Sequence, residues 1–257
     1  MRGCEGACDG ARVRRCEVRA TVRKCEDSTV PPLVSVVIPV LRDTEAAKGL
    51  LAAVPVTPEV EIIVVDGDRD EDLDRYVGTR PGARLVRTTA GRGHQMNVGA
   101  AAGCGEWLLF LHADSQLPAD WLRAFRTLGD GVVGGWFRFA LDDHSWQARV
   151  LERLVSWRVR LFRLPYGDQG LFLRRRQFQR MGGYRELPLF EDVEFVRRLA
   201  RLDEVVELPL VLRTSSRRWR RDGWIRRSAR NVTLVMLYFA GVSPAWLERR
   251  YRSGRRG

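Results

Sequence analysis

Short apolar runs, each followed by polar residues, recur through the first half of this chain. Residues 33–38 and 61–65 consist mainly of valine, isoleucine and leucine, which is typical of strands buried on both faces of a parallel sheet. Residues 83–87 and 106–111 form two further runs, and segments with helical patterns separate the four. This alternation indicates right-handed βαβ units. We therefore predict an α/β fold with a mainly parallel sheet flanked by helices.

Four polar side chains follow three of these strands. Asp43 comes after the first strand, Asp66 after the second, and His112 and Asp114 after the fourth. Ligands of open α/β sheets bind beyond the carboxyl ends of the strands. A single acid at such a position is commonly a helix cap, but agreement among three strand ends favours a binding site.

Asp114 is the strongest candidate for a metal ligand. A carboxylate on the loop after a buried strand suits a hard divalent cation, which prefers oxygen ligands and keeps waters that a diphosphate can replace. His112 has three interpretations: a second metal ligand, a donor to a phosphate or sugar hydroxyl, or an ordinary packed histidine. Asp68 and Asp70 are further metal candidates, but they belong to an acidic loop, and such loops are usually just solvated.

Glu191 and Asp192 begin a predicted helix shortly after a glycine turn and Pro188. Acidic residues at this position are stabilised by the helix dipole, which is their ordinary explanation. The alternative is that one carboxylate faces the cleft as a general base. Such a base must lie within hydrogen-bond reach of the hydroxyl that it deprotonates.

The excess positive charge is concentrated at the carboxyl-terminal end. The formal net charge is +12, and residues 213–257 alone contribute +11, because 13 arginines there face only two acids. The run RRWRR at residues 217–221 suits RNA, through charge and stacking, or a diphosphate, through bidentate arginine contacts. A solvated helix face is the third interpretation.

Residues 145–164 have the periodicity of a long amphipathic helix. One face carries five large apolar side chains. They are Trp146, Val150, Leu154, Trp157 and Leu161. We predict that this face packs into the core and does not serve as a platform for a ligand.

Four motifs, in their order along the chain, resemble those of family 2 glycosyltransferases with the GT-A fold. They are SVVIPV at residues 35–40, EIIVVDG at 61–67, GRGHQMNVG at 91–99 and LLFLHAD at 108–114. The similarity is closest to a small bacterial branch whose metal motif is H-A-D, and it covers about residues 34–251. One such motif is weak evidence, whereas four in this order and spacing are specific.

The resemblance implies a nucleotide-sugar donor, commonly a UDP-sugar, with Mg2+ or Mn2+ as cofactor. It also implies inversion at the anomeric carbon by direct displacement. Asp66 would read the base of the donor, and the donor pocket would contain Pro39, Asp43, Arg92 and Asn97. In this sequence Asp43 stands where a glutamate is common in the family.

The resemblance also assigns the reacting groups. Asp114 would bind the metal that bridges the diphosphate, and His112 stands where many relatives have the first Asp of D-x-D. Asp192, in an E-D motif with Glu191, would be the general base that activates the acceptor hydroxyl. A carboxyl-terminal R-W motif that contacts diphosphate or acceptor in processive members is matched by Arg218 and Trp219, without the Gln that precedes it there.

We divide the chain into three parts. Residues 1–30, which hold four of the five cysteines, are predicted to be a disordered Cys/Arg-rich extension, because their spacing fits neither a zinc ribbon nor a redox pair. Residues 31–212 would form the GT-A catalytic domain. Residues 213–257 would form a basic helical segment that packs on this domain or extends it.

The sequence has no apolar run long enough for a secretory signal or a membrane span, which predicts a cytoplasmic protein. Residues 225–251 are both hydrophobic and basic. They would either rest on anionic lipid at the inner face of the cell membrane and present a lipid or carotenoid-like acceptor, or form an ordinary helical cap.

Three functions compete at this point. The strand-end acids and the motifs favour an inverting glycosyltransferase of hexosyltransferase type. The net charge suggests a nucleic-acid-binding module, but the near-neutral body outside residues 213–257 argues against a nucleic-acid partner. A nucleotidyltransferase usually needs a Gly-rich, Lys-containing loop after the first strand, and residues 40–43 (VLRD) provide none.

Overall fold

Eight strands form a single sheet in the computed structural model, which describes residues 31–253. The strands are β1 (Val34–Val40), β2 (Val60–Asp66), β3 (Ala83–Arg87), β4 (Trp107–Phe110), β5 (Ser115–Gln116), β6 (Gly134–Leu141), β7 (Phe172–Arg174) and β8 (Val205–Thr214). Their order across the sheet is β3-β2-β1-β4-β7-β6-β8-β5. The extension predicted for residues 1–30 lies outside the described residues.

The sheet is parallel in its first half and mixed in its second. β1 pairs in parallel with β2 and with β4, and β2 pairs in parallel with β3. β7 then runs antiparallel to β4 and β6, whereas β6 and β8 are parallel to each other. The predicted α/β fold is confirmed, and the carboxyl ends of β1, β2 and β4 meet at one edge of the sheet.

Ten α-helices connect or flank these strands within residues 31–253. They are α1 (Thr44–Ala53), α2 (Glu71–Gly78), α3 (Arg92–Ala102), α4 (Trp121–Arg126), α5 (Trp146–Phe162), α6 (Arg175–Arg180), α7 (Glu191–Leu199), α8 (Arg217–Asp222), α9 (Trp224–Phe239) and α10 (Pro244–Ser253). One turn of 3-10 helix, Gly167–Gln169, lies between α5 and β7. None of these described helices is long and apolar enough to cross a membrane.

β1 runs through Pro39 to Val40, two residues beyond the apolar run at residues 33–38. The carbonyl of Val37 accepts a hydrogen bond from the Leu111 N–H on the β4 side. In a strand, the backbone N–H and C=O groups of residues two apart point to the same side. The nitrogen of Pro39 therefore also faces β4, whose pairing with β1 has already ended at Val37. The missing N–H therefore removes no ladder hydrogen bond.

The core lies on both faces of the sheet. On one face Trp107, Phe125 and Phe172 meet edge to face, with ring centroids 5.0–5.8 Å apart. On the other face α3 lies almost against the strands, because a Cβ on Gly99 would fall only 2.4 Å from Val37 Cγ1. The small residues of α3 thus bring its amino-terminal end close to the ends of β1 and β2.

The prediction that the large apolar face of α5 packs into the core is wrong. Trp146 is 71% exposed, and Val150, Leu154, Trp157 and Leu161 are exposed as well. The helix packs instead through its small and β-branched side, which includes Ala148, Val155 and Val159. Periodicity located the helix correctly but did not reveal which of its two apolar sides meets the sheet.

Candidate active site

Asp66 organises the loop that follows β2. Its side chain is fully buried, and its carboxylate oxygens accept hydrogen bonds from the backbone N–H groups of Asp68, Arg69 and Asp70 at 2.9–3.0 Å. Asp70 in turn caps α2 by accepting from the Asp72 and Leu73 N–H groups. The acidic loop is therefore an ordered turn built on Asp66 and not only a solvated stretch.

The beginning of α3 is fastened to the ends of β1 and β2. The buried Gln95 amide donates to the Val40 carbonyl at 2.9 Å and to the Val65 carbonyl at 2.8 Å. Gly67 lies against this side chain, since a Cβ on it would come within 3.0 Å of Gln95 Nε2. Gln95 was not singled out from the sequence, where it is an ordinary helix residue.

Asn97 locks α3 to a segment more than 80 residues later in the chain. Its side-chain amide donates to the Tyr184 carbonyl and accepts from the Tyr184 N–H, both at 2.8 Å. Both polar atoms of Asn97 are thus engaged within the protein. This pair fixes the chain that leads from Tyr184 to α7.

Glu191 and Asp192 lie at the first turn of α7, facing the beginning of α3. The Arg92 guanidinium is 3.6 Å from the Glu191 carboxylate. Asp192 Oδ2 accepts a 3.0 Å hydrogen bond from the Gly167 N–H, and its Oδ1 accepts from the Val193 N–H at 2.8 Å. These two hydrogen bonds fix the orientation of the Asp192 side chain.

Two carboxyl groups beside Asp192 have raised pKa values. Burial raises the pKa of Glu191 to about 7, with a further contribution from Asp192 and an opposing one from Arg92. Burial likewise raises the pKa of Asp168 to about 6, with Arg158 opposing and Asp192 adding to the shift. Buried Asp168 Oδ1 has no hydrogen-bond partner among the described residues. No sequence motif marks Asp168, and the one signal for it is its position between Gly167 and Gly170.

His112 borders the same glycine as Asp192. A Cβ placed on Gly167 would lie 3.2 Å from both His112 Nε2 and Asp192 Oδ2. Burial, followed by the positive charges of Arg92 and Arg218, holds the pKa of His112 well below its ordinary value. The ring is therefore neutral near neutral pH. Its Nε2 is buried and makes no hydrogen bond within residues 31–253.

Asp114 faces the amino-terminal end of α8. Its carboxylate is 3.5 Å from the Arg217 guanidinium and 4.0 Å from that of Arg218. Arg217 also pairs with Asp43 after β1. Asp43 therefore makes an ion pair and no side-chain cap for α1. Arg217 belongs to the run noted in the sequence, but it was not chosen there as a site residue.

Trp219 faces the carboxyl-terminal helices. Its ring stacks on Trp224 at 6.5 Å, and the Arg227 guanidinium lies over it at 5.1 Å. Its Nε1 is buried without a hydrogen-bond partner in the described part of the chain. Trp219 thereby holds α8 against α9 and so supports Arg217 and Arg218.

The donor set around Asp114 suits a divalent cation. A neutral imidazole with a bare nitrogen and a carboxylate are both suitable ligands, and Mg2+ is commonly bound by one or two protein groups together with substrate phosphates. Among residues 31–253 no three His, Cys, Asp or Glu side chains cluster tightly enough to hold a metal by themselves. The two groups therefore fit a metal that is shared with a ligand diphosphate.

The charged groups converge at the strand ends and not at a cavity on the other part of the sheet. A cavity of about 270 Å3 lies between α5 and strands β6 and β8. It is bordered by Glu152, Gln169 and Glu207, and none of the predicted site residues contributes to it. The candidate site is instead the cleft formed by the beginnings of α3, α7 and α8.

The sequence of this chain is similar to known glycosyltransferases. The sequence model described as Glycosyl transferase family 2 matches residues 35–180. An uncharacterized glycosyltransferase of Mycobacterium tuberculosis is 32% identical over 141 residues, which are 52% of this chain and 63% of that protein. The undecaprenyl-phosphate 4-deoxy-4-formamido-L-arabinose transferase of Edwardsiella ictaluri is 30% identical, over 55% of this chain and 48% of that protein. The chain thus spans less than two thirds of the length of these relatives.

Solved structures share the fold. Residues 1–349 of Staphylococcus aureus TarS, in complex with UDP-GlcNAc, align with a TM-score of 0.53 and 16% identity, over 71% of this chain and 58% of that one. The Mycobacterium tuberculosis glucosyl-3-phosphoglycerate synthase, in complex with Mn2+, UDP and its glucosylated product, aligns with a TM-score of 0.50 and 19% identity. That alignment covers 72% of this chain and 70% of the other.

Proposed function

The chain belongs to glycosyl transferase family 2, and we propose that it is an inverting glycosyltransferase of hexosyltransferase type. It would move a sugar from a nucleotide-diphosphate donor, a UDP-sugar, to an acceptor hydroxyl by direct displacement. The observation that carries this proposal is the arrangement around one cleft. An oriented carboxylate, Asp192, lies on one side, and the Asp114 carboxylate with two arginines lies on the other.

Asp192 is the general base of this reaction. The acceptor oxygen attacks the anomeric carbon as its O–H bond breaks, and the proton passes to the Asp192 carboxylate. The bond from the anomeric carbon to the diphosphate oxygen breaks at the same time, which inverts the configuration. The N–H groups of Gly167 and Val193 hold the Asp192 side chain in one orientation before the acceptor arrives.

Glu191 supports the base through charge. Its pKa of about 7 leaves it partly protonated near neutrality, so Asp192 need not share the corner with a full second negative charge. Arg92, which contacts Glu191, lies at the beginning of α3, where the family motif assigns it to the donor pocket. A single guanidinium thus neutralises the corner and borders the donor.

The leaving nucleoside diphosphate gains negative charge as its sugar bond breaks. Positive groups aimed at that charge stabilise the transition state, and this role would fall to Arg218, with Arg217 beside it. Mg2+ or Mn2+ held by Asp114 and His112 would supply further positive charge to the diphosphate. Trp219 would act by holding these arginines in position.

The remaining donor contacts are assigned from the family motifs. Pro39 and Asp43 would border the nucleotide at the end of β1, and Asp66 would recognise the base through the loop that it orders. Asn97 would shape the pocket by fixing the Tyr184 segment. Support for a UDP-sugar and Mn2+ comes from structural neighbours solved with UDP-GlcNAc and with Mn2+ and UDP.

The acceptor is proposed to be lipid-like. The name of one relative places undecaprenyl phosphate in its reaction. In this chain α9 exposes Ile225, Val232 and Met236, beside the basic run of α8. Residues 213–257 would therefore complete the catalytic domain of residues 31–212 and contact the inner face of the cell membrane from the cytoplasm.

The nucleic-acid alternative has less support. Several arginines of residues 213–257 are paired with acids: Arg217 with Asp43, Arg220 with Asp143, and Arg227 with Asp222. Paired arginines release few counterions on meeting a polyanion. We therefore expect no sequence-independent nucleic-acid binding of physiological strength.

Turnover by Asp192→Asn tests the proposal. We expect the variant to lose about 10²–10⁴-fold in kcat while the donor still binds, because the amide is isosteric with the carboxylate but is not a base. A panel of UDP-sugars with Mn2+ provides the assay, and Asp130→Asn, at a fully exposed carboxylate, is the matched control. Absence of turnover by the wild-type chain with every donor, or full activity of Asp192→Asn, would count against this function.

A further inference from the structure

Helix α5 has two apolar sides, and only one of them is packed. Ala148 and Val155 lie on the buried side. Trp146, Leu154 and Trp157 point to the opposite side, since residues three, four, seven or eight apart share one face of a helix. This exposed stripe of α5 consists of Trp146, Val150, Leu154, Trp157 and Leu161, with exposures between 43% and 71%. Contiguous apolar surface of this kind marks an interaction site.

Arginines border the stripe along one side. Arg153 and Arg160 lie four residues before and three residues after Trp157, and both are exposed. Neither makes an ion pair or a side-chain hydrogen bond with any other residue in the range 31–253. The one acid of α5, Glu152, is engaged by the Leu141 N–H and by Arg149. The stripe therefore has positive charge beside it, and α5 itself contributes no free negative charge.

The apolar stripe and the arginines beside it together indicate which kind of partner binds here. A second copy of the chain would bring the arginines of two α5 helices together without acids to balance them. Anionic headgroups complement these arginines, while the acyl chains accept the apolar side chains and the interface suits tryptophan. A helix with aliphatic and tryptophan side chains on one face and arginines alongside is the pattern of a helix that lies in a membrane interface.

The end of α5 is joined to the catalytic corner. The helix ends at Phe162, five residues before Gly167, whose N–H holds Asp192. Arg158 of α5 makes hydrogen bonds to the Leu164 carbonyl and to Gln169, and its guanidinium lies 3.5 Å from the centre of the Tyr166 ring. A partner that binds α5 is thus connected to the general base, Asp192, through one short loop.

We propose that the exposed stripe of α5 docks on an anionic lipid surface and holds the acceptor side of the cleft next to the membrane. The docking itself does not depend on the proposed function. Its purpose does, because a lipid-like acceptor explains why the base should lie at the interface. The stripe belongs to a different helix from the apolar side chains of α9.

Vesicle co-sedimentation of the full chain tests the docking. We expect binding to mixed phosphatidylglycerol and phosphatidylcholine vesicles, and weak binding to phosphatidylcholine alone. The double variant Leu154→Gln/Trp157→Gln should bind at least about tenfold more weakly, because two apolar side chains no longer enter the lipid. Both side chains are at least 60% exposed, so the fold should be kept, which the unfolding temperature checks.

Charge is tested separately from apolar contact. Arg153→Gln/Arg160→Gln should weaken binding to anionic vesicles about fivefold for each arginine and reduce its dependence on salt. Arg123→Gln/Arg180→Gln is the control for charge, because it removes two exposed arginines from other helices. Val56→Gln is the control for apolar exposure, because it removes an exposed side chain near the amino-terminal end of β2.

Equal sedimentation of the wild type and Leu154→Gln/Trp157→Gln with anionic vesicles would overturn the proposal. So would a wild-type dimer that this variant dissociates without any change in vesicle binding, since the stripe would then belong to a second copy. Hydrolysis of a UDP-sugar in the absence of lipid separates the two proposals. A wild-type chain that binds vesicles through α5 but turns over no donor would remove the proposed function and support the docking.

Discussion

The carboxyl group of Glu191 is buried and also makes an ion pair. Its pKa is raised to about 7 from 4.5 because burial outweighs the attraction of Arg92. A folded-state pKa above the unfolded one means that the folded chain binds more protons between the two values. The contribution of Glu191 to stability is therefore present at low pH and is lost as pH rises from about 4.5 to about 7.

Glu191→Gln should therefore gain stability relative to the wild type as pH rises through this window. Glutamine keeps the shape of the side chain but has no proton to lose. Thermal unfolding measured at several pH values checks the difference. Glu204→Gln, at an exposed side chain, is the control and should show no such trend. The difference in unfolding temperature between the wild type and Glu191→Gln could instead be the same at both ends of this pH window. That result would contradict a buried Glu191 that binds a proton in the folded chain.

For single residues, the sequence predicted which side chains belong to the site better than it predicted the partners that those side chains contact. Asp114, His112 and Asp192 could be chosen because they follow strands or begin a helix, and the structure brings them to one cleft. Arg217 could not be distinguished from its neighbour Arg218, because which arginine of a helix meets Asp43 depends on how that helix is rotated. Asp168 lies on a loop whose burial only the packed structure reveals.

At the scale of elements, the turn of 3-10 helix at Gly167–Gln169 joins α5 to the catalytic corner. A Cβ on Gly167 would lie 3.2 Å from both Asp192 Oδ2 and His112 Nε2. Gly167→Ala should therefore displace the base or the imidazole and lower kcat about ten- to hundredfold, with little effect on unfolding temperature. Steady-state kinetics check this result.

Gly129→Ala is the matched control for that substitution, because nothing lies within 4 Å of a Cβ there. An equal loss of activity in both variants would mean that the effect does not arise at Asp192. Unchanged kcat in Gly167→Ala would show that the corner tolerates a methyl group and that this loop does not set the position of the base.

Elements differ in how well their sequences predict them. The buried strands were found because valine and isoleucine runs admit few alternatives, and the course of β1 through Pro39 depended on where its neighbour β4 ends. The boundaries of α5 were predicted within two residues, yet its orientation was not. Both of its sides are apolar, so burial energy alone does not choose between them, and only the fit of Ala148 and the β-branched residues against the sheet does.

At the scale of the whole molecule, ligand binding should raise stability. UDP with Mn2+ at about 100 times its Kd should raise the unfolding temperature by about 5–10 °C. Thermal shift measurements with and without Mn2+ check this. Arg218→Gln should reduce the shift, whereas Arg180→Gln, at an exposed arginine of α6, should not. No shift with any nucleoside diphosphate, together with steeply salt-dependent retention on heparin, would favour the nucleic-acid alternative.

The ion pair between Arg217 and Asp43 joins residues 174 positions apart in the chain. Ribosomes make the strand-end acids well before the arginines that face them, so a growing chain displays Asp43 and Asp114 before their partners exist. The donor cleft therefore cannot be completed before α8 has been synthesised. A chain that stops after β8 would leave Asp43 and Asp114 without these arginine partners.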